Sequence, residues 1–336
     1  MFKINSVRLA CLAILLTFTG AFVGSPALAQ SAVTGAVGGA ATDPNNAAVA
    51  GASVTLRNMG TNKSETVTTD SAGRFRFTNL QPGAYAITIS ATGFSEFKLE
   101  QLAVEVGRLS EIDAVLRVGG AAAAIDIVAS AAAVNTESKE FTTNINQTAI
   151  NELPINGRRW SDFALLTPGS VPDQTFGLIS FRGVSGLLNN NTIDGGDNNQ
   201  AFFSEERGRT RINYSISQSA IREFQVNTSN YSAEYGRSAG GVTNAVTKSG
   251  TNDLHGDAFY YQRNNDWGAR APLAFQSLLV NGSPSIVGIK PEDVRHQFGG
   301  TLGGPIKKDT LFFFFSYDQQ KRNFPGLGVF TSPSYL

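Results

Sequence analysis

The run Ile221 to Asn252, IREFQVNTSNYSAEYGRSAGGVTNAVTKSGTN, decides how this 336-residue chain is read. Ile221-Arg222-Glu223-Phe224-Gln225-Val226 reads as a strand, interrupted by Asn227 to Asn230. Tyr235-Gly236-Arg237-Ser238-Ala239-Gly240-Gly241 then leads through Val242-Thr243-Asn244 to Val246-Thr247-Lys248. Upstream stand two more pieces, Phe181-Arg182-Gly183-Val184 and Thr192-Ile193-Asp194-Gly195-Gly196. None is specific by itself; their order is.

In that order the pieces resemble the plug domain of TonB-dependent outer-membrane receptors. Phe181 to Val184 is similar to the family's R-G strand, Thr192 to Gly196 to its I-D-G strand and turn, and Tyr235 to Asn244 to its closing motif. The match departs at Asn227 to Asn230, where the usual strand leads straight into an R-G-P turn. The resemblance implies an α+β plug over 137–249 that closes the lumen of a large β-barrel. It marks Arg182, Gly183, Asp194, Gly195, Tyr235, Gly236 and Arg237 as plug-motif residues. Enclosed charges need partners, so Arg182, Asp194 and Arg237 are expected to make polar ties inside the plug or to the barrel wall. Within the same region Leu153 to Gly157 predicts a turn. Arg158 to Leu166 predicts a short helix, with Trp160, Phe163, Ala164 and Leu166 as a core stripe and Pro168-Gly169 as its stop.

The N-terminus reads as an export signal over 1–29. Lys3 and Arg8 are basic, Leu9 to Phe22 is apolar, and Ala27-Leu28-Ala29 supplies a cleavage site after Ala29. The apolar run is shorter than the roughly 20 residues that span a bilayer as a helix. The single cysteine, Cys11, lies inside it, so the mature chain has neither disulfides nor thiolate metal sites. Without Lys3 and Arg8 the 27 basic residues become 25 against 27 acidic ones. No basic stripe marks a nucleic-acid partner. No later stretch approaches 18 unbroken apolar residues, which excludes helical spans but not barrel strands.

Ser31 to about Arg117 is a series of short strands. Val54 and Leu56 share a face, Phe75 and Phe77 alternate with arginines, and Tyr85, Ile87 and Ile89 alternate with small or polar residues. Asp43-Pro44-Asn45-Asn46, Asn58-Met59-Gly60, Asp70-Ser71-Ala72-Gly73 and Gln81-Pro82-Gly83 are turns. About seven strands with turns every 8–12 residues predict a small antiparallel sandwich. Val49 to Leu56, Thr69 to Phe75 and Leu80 to Tyr85 resemble the carboxypeptidase-regulatory-like domain. That implies a transthyretin/Ig-like sandwich over 31–117, an accessory module related to carbohydrate-binding-like folds, with no peptidase activity. Tyr85, Phe94 and Phe97 are either an exposed sugar platform or, as aromatics usually are, core.

Val118 to about Thr136 changes character. Glycines and alanines surround Ile125-Asp126-Ile127-Val128-Ala129-Ser130, so the segment reads as a tether holding one short extended stretch. Placed just before a plug, that stretch resembles a TonB box, whose backbone pairs with an edge strand of a TonB-type energy-transducing protein in the periplasm. The residues alone fit a plain linker equally well.

The region 250–336 is expected to begin an outer-membrane barrel. His296 to Gly304 and Thr310 to Gln320 are candidate strands flanking the turn Pro305 to Asp309, and Leu254 to Arg263 is a third. Leu311, Phe313, Phe315 and Tyr317 form an apolar face opposite Phe312, Phe314, Ser316 and Asp318, which suits lipid outside and water inside. Asn264 to Val294 reads as a long irregular outer loop. Plugged transporters close with about 22 strands, each about 9–11 residues long. This region therefore reads as an incomplete barrel, and the chain alone is not expected to form a pore.

Catalytic signatures are lacking. His255 and His296 are not spaced with other metal ligands. Gly183-Val184-Ser185-Gly186 fails as a nucleophile elbow. Asp194 to Asn199 lacks the ligand spacing of a calcium loop, and Glu205 to Arg211 reads as a solvated mixed-charge loop. No metal, cofactor or enzymatic activity is expected. The family resemblance implies an energised importer in the outer membrane, with its N-terminal domains periplasmic. Its ligand would be an extracellular glycan, peptide or metal chelate, and its surroundings outer-membrane lipid. The alternatives are an envelope carbohydrate-binding or adhesion module without transport, or a non-functional truncated fragment.

Overall fold

The computed structural model describes residues 33–119, 141–153, 155, 157–173, 177–202, 206–207 and 215–323. The export signal with Ala29 and the segment Ile125 to Ser130 lie outside the described residues.

The first body is a seven-stranded sandwich: β1 (Gly35–Thr42), β2 (Ser53–Asn58), β3 (Ser64–Thr68), β4 (Arg74–Leu80), β5 (Gly83–Ser90), β6 (Phe97–Val104) and β7 (Leu109–Val115). One sheet runs β4-β1-β7 and the other β3-β2-β5-β6. The period-2 pattern in the sequence sets which face is inside: Val54, Leu56, Phe75, Phe77, Ile87 and Ile89 are all buried between the sheets. The Asp70 turn is fixed by its own carboxylate, which accepts from the amides of Ala72 and Arg74 at 2.9 and 2.8 Å. The sandwich is not wholly antiparallel, because β1 pairs β7 in parallel. The two strands come from opposite ends of the domain, where no hairpin dictates their direction. Tyr85 and Phe97 are buried and Phe94 packs against the same core, so these rings form no exposed platform.

The central body starts with β8 (Phe141–Ile145) and α1 (Gln147–Glu152), which is capped by Asn146 accepting from the Ala149 amide. A 3₁₀ turn (Trp160–Leu166) and a hairpin of β9 (Ser170–Asp173) and β10 (Leu178–Phe181) follow. Then come β11 (Asn190–Ile193), β12 (Gly196–Asp197), β13 (Ile221–Ser229) and β14 (Val242–Thr247). The main sheet has the order β12-β11-β14-β13-β8, with β11 and β14 parallel. Trp160 and Phe163 pack on Phe224 with ring centroids 6.0 and 5.9 Å apart. The expected helix is thus a 3₁₀ turn, and Leu166 is 54 % exposed rather than core. Tighter 3₁₀ winding moves side chains away from the 3.6-residue stripe on which the expectation rested.

The third body is a three-stranded antiparallel sheet of β15 (His255–Asn264), β18 (Val294–Lys307) and β19 (Leu311–Asn323). Between β15 and β18 the chain is not irregular: β16 (Phe275–Val280) and β17 (Ser283–Gly288) make a separate hairpin. Its two turn residues, Asn281 and Gly282, have φ of 53° and 80°, the requirement of a type I′ turn. The expected turn at Pro305 is also shorter. β18 runs through Pro305 with a bulge before Lys307, and proline is tolerated at such a bulge.

Candidate functional site

Strand phase gives the three-stranded sheet two unlike faces. Tyr260, Leu302, Phe315 and Tyr317 are exposed on one face. The opposite face, carrying Phe259, Tyr261, Gln297 and Asp318, turns towards the central body. There the Arg158 guanidinium lies over the rings of Phe259 and Tyr261, 4.1 and 4.8 Å from their centroids. It also donates to Ser219 Oγ at 2.6 Å. Ser217 Oγ donates to Asp318 Oδ2 at 2.8 Å, and Asp257 accepts from Thr301 within the three-stranded sheet, here called the wall.

Between the central body and this wall lies a cavity of about 650 Å³, lined by Arg158, Arg222, Lys248, Asp257 and His255 among others. Burial lowers the Lys248 pKa; Asp257 opposes that effect, while the charges of Arg158 and Arg222 add to it. Burial likewise lowers the Arg222 guanidinium.

Most motif residues meet in the main sheet of the central body. Asp194 and Gly195, with φ of 49° and 76°, are the two turn residues joining β11 to β12. The Asp194 carboxylate accepts from the Thr247 amide and hydroxyl at 2.9 and 2.8 Å, fastening the turn to the end of β14. Arg237 Nη1 donates to Asp197 at 2.9 Å, Gly236 O accepts from Asn190 Nδ2 at 2.9 Å, and Tyr235 Oη donates to Gln225 at 3.3 Å. Arg182 and Gly183 stand apart, as the turn residues between Phe181 and Val184. The Arg182 side chain is exposed and makes no hydrogen bond among the described residues, so the polar tie expected of it is not seen. Arg182-Gly183 and Asp194-Gly195 are therefore left-handed turn pairs, and Asp194 adds a cap. Glu206, read as part of a solvated loop, is 4 % exposed: its residue bridges back to Asn199 beside β11.

The sandwich meets the central body through the turn that follows β6. Glu223 on β13 is buried, and its Oε1 accepts from the Val106 amide at 2.5 Å. Val106 O accepts from Asn144 Nδ2 at 3.0 Å and from Gln225 Nε2 at 3.4 Å. Gly107 has φ +65°, and a Cβ there would lie 2.3 Å from Gln225 Nε2. Burial raises the Glu223 carboxyl from 4.5 to about 7, against the Val106 amide, which lowers it. Glu105 adds to the rise, and Arg222 and Arg108 oppose it. A second contact reaches the turn between β18 and β19, where Asp309 Oδ1 accepts from Asn62 at 2.9 Å and from Asn252 at 2.7 Å. Neither Glu223 nor Arg158 stood out in the sequence. The available signal was a charge inside an apolar strand and an arginine opening an aromatic stripe.

Known proteins are similar to parts of this chain. Residues 36–117 match the family model of the carboxypeptidase regulatory-like domain, and 246–335 match that of an outer membrane beta barrel domain. The TonB-dependent transporter Oar of Myxococcus xanthus is 26 % identical over 309 residues, which is 88 % of this chain and 27 % of that protein. The chain thus spans about a quarter of its curated relative. Among solved structures, the siderophore receptor PirA of Acinetobacter baumannii is similar at TM-score 0.39 and 22 % identity, covering 54 % of this chain and 24 % of that one. The ferric enterobactin receptor PfeA of Pseudomonas aeruginosa is similar at 0.38 and 19 %, with the same coverage. Two domain matches, at the sandwich and at the three-stranded sheet, and a relative aligned over 88 % of the chain make it similar to the TonB-dependent transporters of the outer membrane.

Proposed function

We propose that the chain serves energised import across the outer membrane. The central body, 137–249, acts as the plug, and the sheet beginning near 250 forms part of the barrel wall in contact with outer-membrane lipid. A TonB-type protein of the periplasm pairs with Ile125-Asp126-Ile127-Val128-Ala129-Ser130 and pulls. The ligand is an extracellular glycan, peptide or metal chelate, and the chain acts as a transporter, not an enzyme.

The supporting observation is the position of β8. Among the described residues it is the first strand after the box segment and the edge strand of the central sheet, paired only to β13. Among the described parts of the central body, the β8–β13 ladder is the first that tension on the box segment reaches. Contacts between this body and the wall include the polar Ser217–Asp318 and the cation–π Arg158–Phe259, which water can replace.

Ile127→Pro removes a backbone donor from the box segment and disfavours strand pairing. The full chain is expected to retain an immobilised TonB-type periplasmic domain, and the Ile127→Pro chain to lose it. Equal retention by both would overturn this role for the segment.

A further inference from the structure

Three turns of the sandwich come together at one end: 59–63 between β2 and β3, 81–82 between β4 and β5, and 105–108 between β6 and β7. Register puts them side by side, since Asn58 pairs with Tyr85 and Gly83 with Val104 in a sheet that runs β2-β5-β6. Neighbouring strands lie about 5 Å apart, so the ladders behind the turns fix them relative to one another.

The two outer turns hold different bodies. At 105–108 the Val106 amide donates to Glu223 of the central body, and its carbonyl accepts from Asn144 and Gln225. At 59–63 Asn62 donates to Asp309 in the β18–β19 turn of the wall, and Gly60 O accepts from the Asn252 amide at 2.8 Å. Asn252 is itself fastened to that wall turn, because its side chain donates to Asp309 Oδ1 and accepts from the Asp309 amide at 2.8 Å.

A glycine stands at each of the three turns where it meets its neighbour. A Cβ at Gly60 would lie 3.1 Å from Thr251, one at Gly83 would lie 3.1 Å from Arg222, and one at Gly107 would come closer still to Gln225. Larger side chains at these positions would hold the bodies apart. This end of the sandwich is therefore shaped for close contact with both the central body and the segment leading into the wall.

A rigid end held at two places cannot leave one without loading the other. We propose that the sandwich is a cross-tie between the central body and the wall. Each seam, at Val106 and at Asn62, holds the other closed, and the docked sandwich braces the central body against the wall. That release of this brace accompanies import rests on the proposed function; the coupling of the two seams does not.

The test is amide hydrogen exchange of the purified full chain in detergent micelles, resolved to single residues by mass spectrometry. A bonded amide exchanges only when its seam opens, so its rate reports the open fraction. Asn62 and Asp309 have left-handed backbones, φ 60° and 62°, so glycine removes either side chain without strain. Asn62→Gly, and separately Asp309→Gly, is expected to speed exchange of the Val106 amide about two- to tenfold, the worth of one hydrogen bond. Coupling is reciprocal, so Glu223→Ala is expected to speed exchange of the Asn252 amide at the other seam. Amides of the β2–β5 ladder are expected to keep their parental rates. An unchanged rate at either far seam overturns the cross-tie. So does equal acceleration in the β2–β5 ladder, which would mean that the sandwich unfolds before it lifts off. No TonB-type protein enters this experiment, so its failure would leave the import reading intact. Failure of the Ile127→Pro test would leave the cross-tie intact.

Discussion

Glu223→Gln should remove a pH dependence that the wild-type chain carries at the joint between sandwich and central body. Burial raises the carboxyl of Glu223 from 4.5 to about 7, so the folded state holds this proton more tightly than the unfolded state. Stability from this group is therefore full below pH 4.5 and falls as pH rises through 7. Integrating the two titrations gives a loss of about 2–3 kcal/mol between roughly pH 5 and pH 8. The amide introduced by Glu223→Gln keeps an oxygen for the Val106 amide and cannot ionise, so the variant's stability should change by that much less over the same range. Glu223→Ala instead orphans a buried amide and should cost about 1–3 kcal/mol at about pH 5. Urea unfolding followed by tryptophan fluorescence reads this directly. Trp160 is fully buried against Phe224, the neighbour of Glu223, whereas Trp267 is 70 % exposed and contributes little change. A wild-type stability that is flat or rises across this pH range, or an equal slope in Glu223→Gln, would refute the reasoning.

Gly107→Ala puts a Cβ 2.3 Å from Gln225 Nε2 on a backbone at φ +65°. It should lower the urea midpoint, costing about 1 kcal/mol or more. Phe315→Lys places a charge in the exposed apolar face of β19. It should cost about 2–4 kcal/mol of membrane insertion, read as a smaller protected fraction after protease treatment of liposomes; unchanged protection would mean this face does not meet lipid. The fragment Ser31–Arg117 should melt cooperatively by itself, because its buried cluster, from Val37 to Leu116, draws on no other body. A non-cooperative calorimetric trace would show that the fragment needs its neighbours.

The sandwich was legible because each of its strands buries one face, and a period of two fixes that face without tertiary knowledge. Val54, Leu56, Phe75, Phe77, Ile87 and Ile89 fall inside as their alternation requires. The wall was legible for the same reason, with Leu311, Phe315 and Tyr317 outward. β13 was not legible in this way. It is buried on both faces, and Glu223, Gln225 and Asn227 look like a solvent face until the partners that cover them are known. The β16–β17 hairpin carries a local signal that outweighs the irregular reading: Asn281-Gly282 between apolar runs is a strong hairpin dipeptide. The motif turns were found by resemblance, and the left-handed backbones at Arg182, Gly183, Asp194 and Gly195 explain them physically.

The joint at Val106 is made of an amide, a carbonyl, a carboxyl and two side-chain amides. Each of these groups finds an equivalent partner in bulk solvent, so parting the two bodies there is an exchange of hydrogen bonds worth about 0.5–1.5 kcal/mol apiece. The exchange also uncovers the Val106 side chain, which is buried at the seam. Release of the sandwich at this seam therefore trades a few hydrogen bonds with solvent and exposes one valine, while Asn62 still ties it to Asp309.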